Sequence, residues 1–285
     1  MSAPVLAVLN MKGGVGKTTI SAHVSREFFE TKELSVLLVD LDPQFNLTQQ
    51  LIARDRYNLL VEGHKTALRL FEPAPAGDFF DINTSANPPP KASEVALVLW
   101  NFRQKPNVVL SLISGTFELT KYSFIPDNDK LKHAREFFKR FISTAREEYD
   151  LIVLDMNPSS SFLTFAGLSV ATDIISPVRP DKFSVLGLEL VKRLLDHPAI
   201  QPKPKMHIVM NGVPRRNPVT EIEQQILAEA YFGPRLLPVR LHESGVLRAR
   251  SDYTGFASDR RVSNRTVIRS ELRKVGLELC TRVGL

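Results

Sequence analysis

Residues 5–28 leave little choice of local structure. Val5–Leu9 is a continuous apolar run. Asn10-Met11-Lys12-Gly13-Gly14-Val15-Gly16-Lys17-Thr18-Thr19 follows it, and Ile20, Val24 and Phe28 then recur at helical spacing. A buried strand, a glycine-rich loop and a helix in that order build a phosphate cradle, because the loop's N–H groups and the helix N-terminus converge on an anion. Gly16, Lys17 and Thr18 supply the second half of the usual loop, with Met11 standing where its first glycine belongs. The spacing sends Lys17 to the outer phosphates and Thr18 to Mg²⁺. Lys12 is surplus to that task, which points to a site completed by a second subunit.

Two further motifs extend the site. Val39-Asp40-Leu41-Asp42-Pro43-Gln44 ends a second apolar run. It places two carboxylates on one side of the chain, about 7 Å apart, where α/β folds bind ligands. One carboxylate can organise Mg²⁺ and its waters while the other orients an attacking water; a plain Asp-Pro turn would read the same way. Leu151-Ile152-Val153-Leu154-Asp155 closes a buried strand on an acid of Walker B type, able to hold Mg²⁺ through water.

The remaining runs alternate strand and helix. Strands are expected at Val5–Leu9, Val36–Asp40, Val108–Ser114, Leu151–Asp155, Asp173–Val178, His207–Asn211 and about Arg235–Val239. Helices are expected after Lys17, over Asp129–Glu148, from Phe183 to Leu195, and over Val219–Tyr231. The fold class is therefore α/β, a mostly parallel twisted sheet with helices on both faces, in a single domain spanning 1–285. Pro73, Pro75, Pro88-Pro89-Pro90 and Pro106 mark 73–107 as an irregular excursion with at most one short helix around the apolar patch Val95–Trp100.

Composition narrows the partners. A single cysteine, Cys280, excludes a disulfide framework or a cysteine-rich metal site. No apolar stretch approaches the ~20 residues of a membrane span, and no basic leader precedes Val5. A cytoplasmic protein without integral membrane association is expected. The net charge of +6 arises entirely in residues 235–285, where 11 basic side chains face 5 acidic ones. That arginine excess reads equally as a solvated surface or as a grip on phosphate-rich partners. From Ser263, a candidate N-cap, a helix is expected with Ile268, Leu272, Val275 and Leu279 on one face. Arg265, Arg269 and Arg273 form a stripe beside them. With Arg248, Arg250, Arg260 and Arg261, and with Arg215 and Arg216 adjoining, the stripe is a candidate for sequence-independent DNA binding.

Taken together, Lys12–Thr19, Val39–Gln44, Tyr149–Asp155 and Pro177-Val178-Arg179-Pro180 with Leu186-Gly187-Leu188 resemble the ParA/MinD family of deviant Walker A ATPases, in its ParA branch. The resemblance covers most of 4–255. It implies a P-loop NTPase fold, ATP and Mg²⁺ as cofactors and an ATP-dependent homodimer in which Lys12 reaches the partner's phosphates. Gly13, Gly14, Val15, Gly16, Lys17, Thr18 and Thr19 would cradle the phosphates. Asp42 would position the hydrolytic water, with Thr18, Asp40 and Asp155 in the magnesium network. Asn211 would touch adenine and Pro238 would flank the ring. It also implies partition or positioning of plasmid or chromosomal DNA at the nucleoid, with hydrolysis stimulated by a ParB-like or cargo-adaptor protein. Positioning of a protein assembly, or a MinD-like membrane-associated cycle, is the alternative. Asp155-Met156-Asn157-Pro158 departs from the family's usual Asp-Thr-Pro-Pro. With the loop starting at residue 10, neither the N-terminal helix-turn-helix domain of larger relatives nor operator-specific repression is expected. A cluster carrier of this fold needs paired cysteines, a tyrosine kinase needs a terminal tyrosine cluster, and a small-molecule synthetase leaves Lys12 without work.

Overall fold

Alternation of side chains along a strand decides how this sheet is covered. The computed structural model describes residues 2–157, 159, 161–216, 219–247 and 253–285. In it, β1 (Val5–Val8) turns Val5 and Ala7 into one apolar layer and Leu6 and Val8 into the other. The same division runs through β2 (Val36–Asp40), β4 (Val109–Ile113), β5 (Leu151–Asp155), β6 (Asp173–Val178) and β7 (Lys205–Val213). With β3 (Leu97–Asn101) and β8 (Leu236–His242) they form one eight-stranded sheet, ordered β3-β4-β2-β5-β1-β6-β7-β8. Every pairing is parallel except β3 with β4.

Helices cover both faces, as burial of both sets of side chains requires. On the Leu6–Val8 face lie α1 (Lys17–Lys32), α2 (Asn46–Leu51), α3 (Arg54–Glu62) and α9 (Arg265–Val283). On the other lie α4 (Ala92–Val95), α5 (Asn128–Glu148), α6 (Phe162–Leu168), α7 (Lys182–Asp196) and α8 (Glu221–Ala228). Asp127 caps α5 by accepting from the N–H groups of Asp129 and Lys130, and Asp181 caps α7 by accepting from those of Phe183 and Ser184. In α9 the expected face of Ile268, Leu272, Val275 and Leu279 is fully buried against α1, at about 1.5–3 kcal/mol per side chain relative to exposure. The helices meet at Gly276, where a Cβ would stand 2.9 Å from Cβ of Glu27.

Four local expectations are corrected. The 73–107 excursion is not irregular throughout: after the short α4 it contributes β3, an antiparallel edge strand with a bulge between Val98 and Trp100. An edge strand needs partners on one side only, so a short, half-exposed run suffices. The excursion is tied down at Glu72, whose carboxylate accepts from Lys121 Nζ (2.6 Å), Tyr122 OH (3.1 Å) and Asn83 N (2.9 Å). Ser263 does not cap α9: Asn264 occupies that place with φ 66° and no side-chain cap bond, a conformation asparagine tolerates. The helix after Val219 is shorter than expected, since the chain leaves α8 into a 3-10 turn at Gly233–Arg235. Finally, β8 runs on to His242, because an edge strand accepts Pro238 without losing a ladder bond that it needs.

Candidate active site

The C-terminal ends of β1, β2 and β5 meet at a cavity of about 770 Å³, lined by the glycine loop, Asp42, Gln44, Asn157 and the segment Tyr253–Gly255. The loop's shape is set at Gly16, which precedes α1 with φ 97°. A Cβ there would also fall 2.2 Å from Nδ2 of Asn211, so only glycine fits. Asn211, two residues before the end of β7, donates from that nitrogen to the carbonyl of Val15 (2.7 Å) and braces the loop. Asn10 fixes the other end, donating to the Pro177 carbonyl (2.9 Å) and accepting from Lys12 N (2.9 Å). α7 crosses so close that a Cβ on Gly187 would lie 2.0 Å from Asn10 Oδ1.

Two lysines of one loop have opposite fates. Lys17 is buried and donates to the Lys12 carbonyl (3.0 Å). Burial lowers its pKa, while Asp155 and Asp42 oppose the shift. Lys12 leaves the loop: its ammonium pairs with Asp181 Oδ1 at 2.8 Å and lies 5.0 Å from the centre of the Phe183 ring. It is absent from the cavity lining.

The carboxylates form a tight group. Asp40 and Asp155 are register partners across β2 and β5 and are both buried. Thr48 donates to Asp40 Oδ2 through its backbone N–H (2.9 Å) and its hydroxyl (2.7 Å). Thr18 and Ser21 donate to the two oxygens of Asp155 at 2.9 and 2.7 Å. Burial, with the mutual repulsion of the carboxylates, pushes both acids above the usual carboxylate range. Asp42 accepts from Gln44 N (2.9 Å) and Asn157 Nδ2 (3.2 Å). Buried hard oxygens beside a threonine hydroxyl, under a cradle of N–H groups, fit a magnesium-bound polyphosphate: a dication would relieve the repulsion that burial creates.

The sequence-predicted cradle residues Gly13–Thr19, with Asp40, Asp42 and Asp155, are brought together here. Pro238 is not: it is exposed in mid-strand, four residues and about 13 Å before the end of β8. The residues that close the cavity on the far side are Tyr253, Thr254 and Gly255, held by a Gly255 N–H bond to the Gln50 carbonyl (2.7 Å). Sequence reasoning missed these, along with Thr48, Ser21 and Asp181. Of the arginine stripe, Arg269 is engaged with Glu30 at 2.7 Å and Arg265 with Asp259 at 3.8 Å, while Arg273 is exposed. Arg260 is buried and donates to the carbonyls of Gly245 and Val246. Arg248 and Arg250 lie outside the described residues.

Residues 3–208 match the family model of an AAA domain, and the geometry above gives that match its loop, strand order and acids. The chain belongs to the ParA/MinD family of P-loop ATPases. Among curated relatives, the chromosome-partitioning ATPase Soj of Treponema pallidum is 27% identical over 189 residues, covering 65% of this chain and 61% of Soj. The chain spans 63%, 41% and 42% of the length of three further curated relatives. Two solved structures share the fold almost end to end. The pNOB8 ParA bound to nonspecific DNA aligns with TM-score 0.68 and 17% identity over 99% of each chain. Cobyrinic acid a,c-diamide synthase of Mycobacterium smegmatis with ADP and magnesium aligns with TM-score 0.66 and 20% identity, over 99% of this chain and 97% of that one. Family membership thus fixes the fold. Among the described residues no helix is long and apolar enough to cross a membrane.

Proposed function

We propose that this chain is a positioning ATPase of the ParA type. Two copies close around ATP and Mg²⁺, and the dimer holds DNA without regard to sequence. A ParB-like or cargo-adaptor protein stimulates the hydrolysis that releases it. The observation that carries this reading is the outward position of Lys12, held on Asp181 and absent from its own cavity while Lys17 serves the loop. A lysine kept in a phosphate loop but turned away from it has work to do on a second copy.

ATP supplies the anhydride and Mg²⁺ the positive charge that offsets its phosphates. The N–H groups of Gly13–Gly16 and the Lys17 ammonium orient the phosphates. Thr18, Asp40 and Asp155 would hold the metal. Asp42, with Oδ1 taken by Gln44 and Asn157, presents its other oxygen to an attacking water. The Asp155-Met156-Asn157-Pro158 departure thereby gains a role, since Asn157 steers the Asp42 carboxylate. The Tyr253–Gly255 segment lines the cavity, and with Asn211, bonded to the loop at Val15, it is the candidate to bracket the base. Partition of plasmid or chromosomal DNA, from a cytoplasmic, nucleoid-bound pool, is the cargo role that the arginine excess of 235–285 favours.

Sedimentation of the wild type and of Asp42→Ala with ADP and with ATP tests the cycle. The expected result is an ATP-specific dimer that persists in Asp42→Ala. A monomer under every nucleotide condition overturns the proposal.

A further inference from the structure

Four phenylalanines stand together on the surface with no role in the site. Phe79 and Phe80 come from the proline-rich excursion, and Phe117 and Phe124 from the turns between β4 and α5. They are 37%, 64%, 63% and 60% exposed. The rings associate across the two segments. Phe79 meets Phe80 edge-on at 5.2 Å, lies parallel to Phe117 at 6.5 Å, and Phe80 meets Phe124 edge-on at 6.3 Å. Scattered exposed apolar residues need no explanation, but four clustered aromatic rings from two segments form a contiguous patch, the usual mark of a docking surface.

The rim says what chemistry would dock. Asp78 precedes Phe79, Glu118 follows Phe117, and Asp127 and Asp129 follow Phe124 closely. Three lysines share the neighbourhood: Lys132 is exposed on α5, and Lys130 feels the charge of Asp127 as well, which leaves Asp78, Glu118 and Asp129 as the carboxylate border. Lys121 is buried on Glu72 at 2.6 Å, and Lys130 is taken by Asp81 at 2.5 Å. A chain whose net charge is +6 therefore presents one aromatic patch with a carboxylate border. Charge complementarity selects a segment that is itself basic and apolar.

We infer that the Phe79–Phe80–Phe117–Phe124 patch is the docking surface for a basic, apolar segment of a protein partner. Its leucine or aromatic side chains lie on the rings and its lysines or arginines face the Asp78, Glu118 and Asp129 carboxylates. The segment that carries Phe117 is also bonded to the candidate metal site. Gly115, two residues before Phe117, donates to Thr48 Oγ1 (2.8 Å), and that hydroxyl donates to Asp40. Only the choice of a protein as partner rests on the positioning-ATPase reading, and docking is measured without nucleotide. Failure of one therefore leaves the other to be judged separately.

The probe is a fluorescein-labelled synthetic peptide of repeating Lys-Leu-Phe, read by anisotropy against the full chain. Two control peptides carry Glu in place of Lys, or Ser in place of Leu and Phe. The expected result is saturable binding of the Lys-Leu-Phe peptide and at least tenfold weaker binding of both controls. Phe80→Ser and Phe117→Ser should each weaken binding about tenfold. Phe80→Leu should retain most of it, and Asp78→Asn with Glu118→Gln should flatten its salt dependence. Because these side chains are exposed, unchanged thermal melts will show that the variants are folded; a variant that melts early is replaced by Phe124→Ser, exposed on the opposite side of the patch. Equal binding by the wild type and the Phe variants overturns the proposal. So does equal binding of the serine peptide, or a self-association of the chain that Phe80→Ser abolishes, which would make the patch a contact between copies.

Discussion

Asp40 and Asp155 face each other as register partners on adjacent parallel strands, each fully screened from water and each held by hydroxyl donors from a neighbouring helix. Two like charges in that position cost the fold energy, and the donors offset part of it. Thr48 carries much of this load, since one hydroxyl donates to Asp40 and accepts from Gly115 N. Thr48→Val is expected to lower stability by about 1–3 kcal/mol in urea denaturation. It should also weaken magnesium-dependent nucleotide binding. Thr48→Ser keeps both bonds and is expected to stay near the wild type.

The division of labour between the two loop lysines gives a second expectation. Lys17→Ala should weaken ATP binding by tenfold or more, measured with a fluorescent analogue. Lys12→Ala should bind ATP nearly as the wild type does yet fail to form the ATP-dependent dimer. Equal loss of binding in both variants would return Lys12 to its own site and remove the argument for a second copy.

Gly16 allows a test of the cradle itself. Its φ of 97° and the 2.2 Å approach of Asn211 both forbid a side chain. Gly16→Ala should cost about 1–3 kcal/mol of stability and abolish nucleotide binding. In Asn211→Gly, which opens the space, the same substitution should cost less in stability.

The α1–α9 contact predicts a pH dependence. Glu27 is buried against α9; burial, with Glu30 beside it, pushes its carboxyl up to about 7, while Arg269, Arg26 and Arg273 pull the other way. A raised carboxyl pKa means that the folded chain holds the proton more tightly. This contribution to stability is full below the unfolded value near 4.5 and is lost as pH rises through about 7. Glu27→Gln should remove that slope and leave the chain more stable at pH 8, by on the order of 1–2 kcal/mol. Melting curves at pH 5 and pH 8 for both proteins decide it; parallel shifts refute the assignment.

The arginines of α9 should separate by their partners. Arg269 is paired with Glu30, whereas Arg273 is exposed. Arg273→Ala should weaken DNA retention, lower the slope of log affinity against log salt by about 1, and leave stability unchanged. Arg269→Ala should lower stability as well. DNA retention that is unchanged in Arg265/Arg269/Arg273→Ala would sink the stripe as a phosphate grip.

The parts of this site that were legible in the sequence are those whose chemistry allows few residue types at fixed spacing. The Lys12–Thr19 loop, Asp40, Asp42 and Asp155 all belong to this class, and so do the strands that carry them. What stayed hidden depends on residues far apart in the chain. Nothing near Thr48 announces that it will hold Asp40, nor near Asp181 that it will take Lys12. The cap role of Asp181 was readable, since it precedes a helical run, but its second partner lies 169 residues away. β3 escaped because a short edge strand needs neither a long apolar run nor strict alternation. Pro238 was misplaced by ending β8 at about Val239, which put the proline beside the strand's end, whereas the strand runs on to His242.

The position of β1 has a consequence in time. Its neighbours are β5 and β6, so Val5 pairs with Ile152 and Leu6 with Asp173. Once made, this strand cannot acquire its partners until about 150 further residues have been added, roughly 7–30 s of synthesis. Until then the glycine loop has no floor of Asp155 and no brace from Asn211. A nascent chain of this protein can bind nucleotide only once its central strands have met, so the phosphate cradle is finished long after its own residues are made.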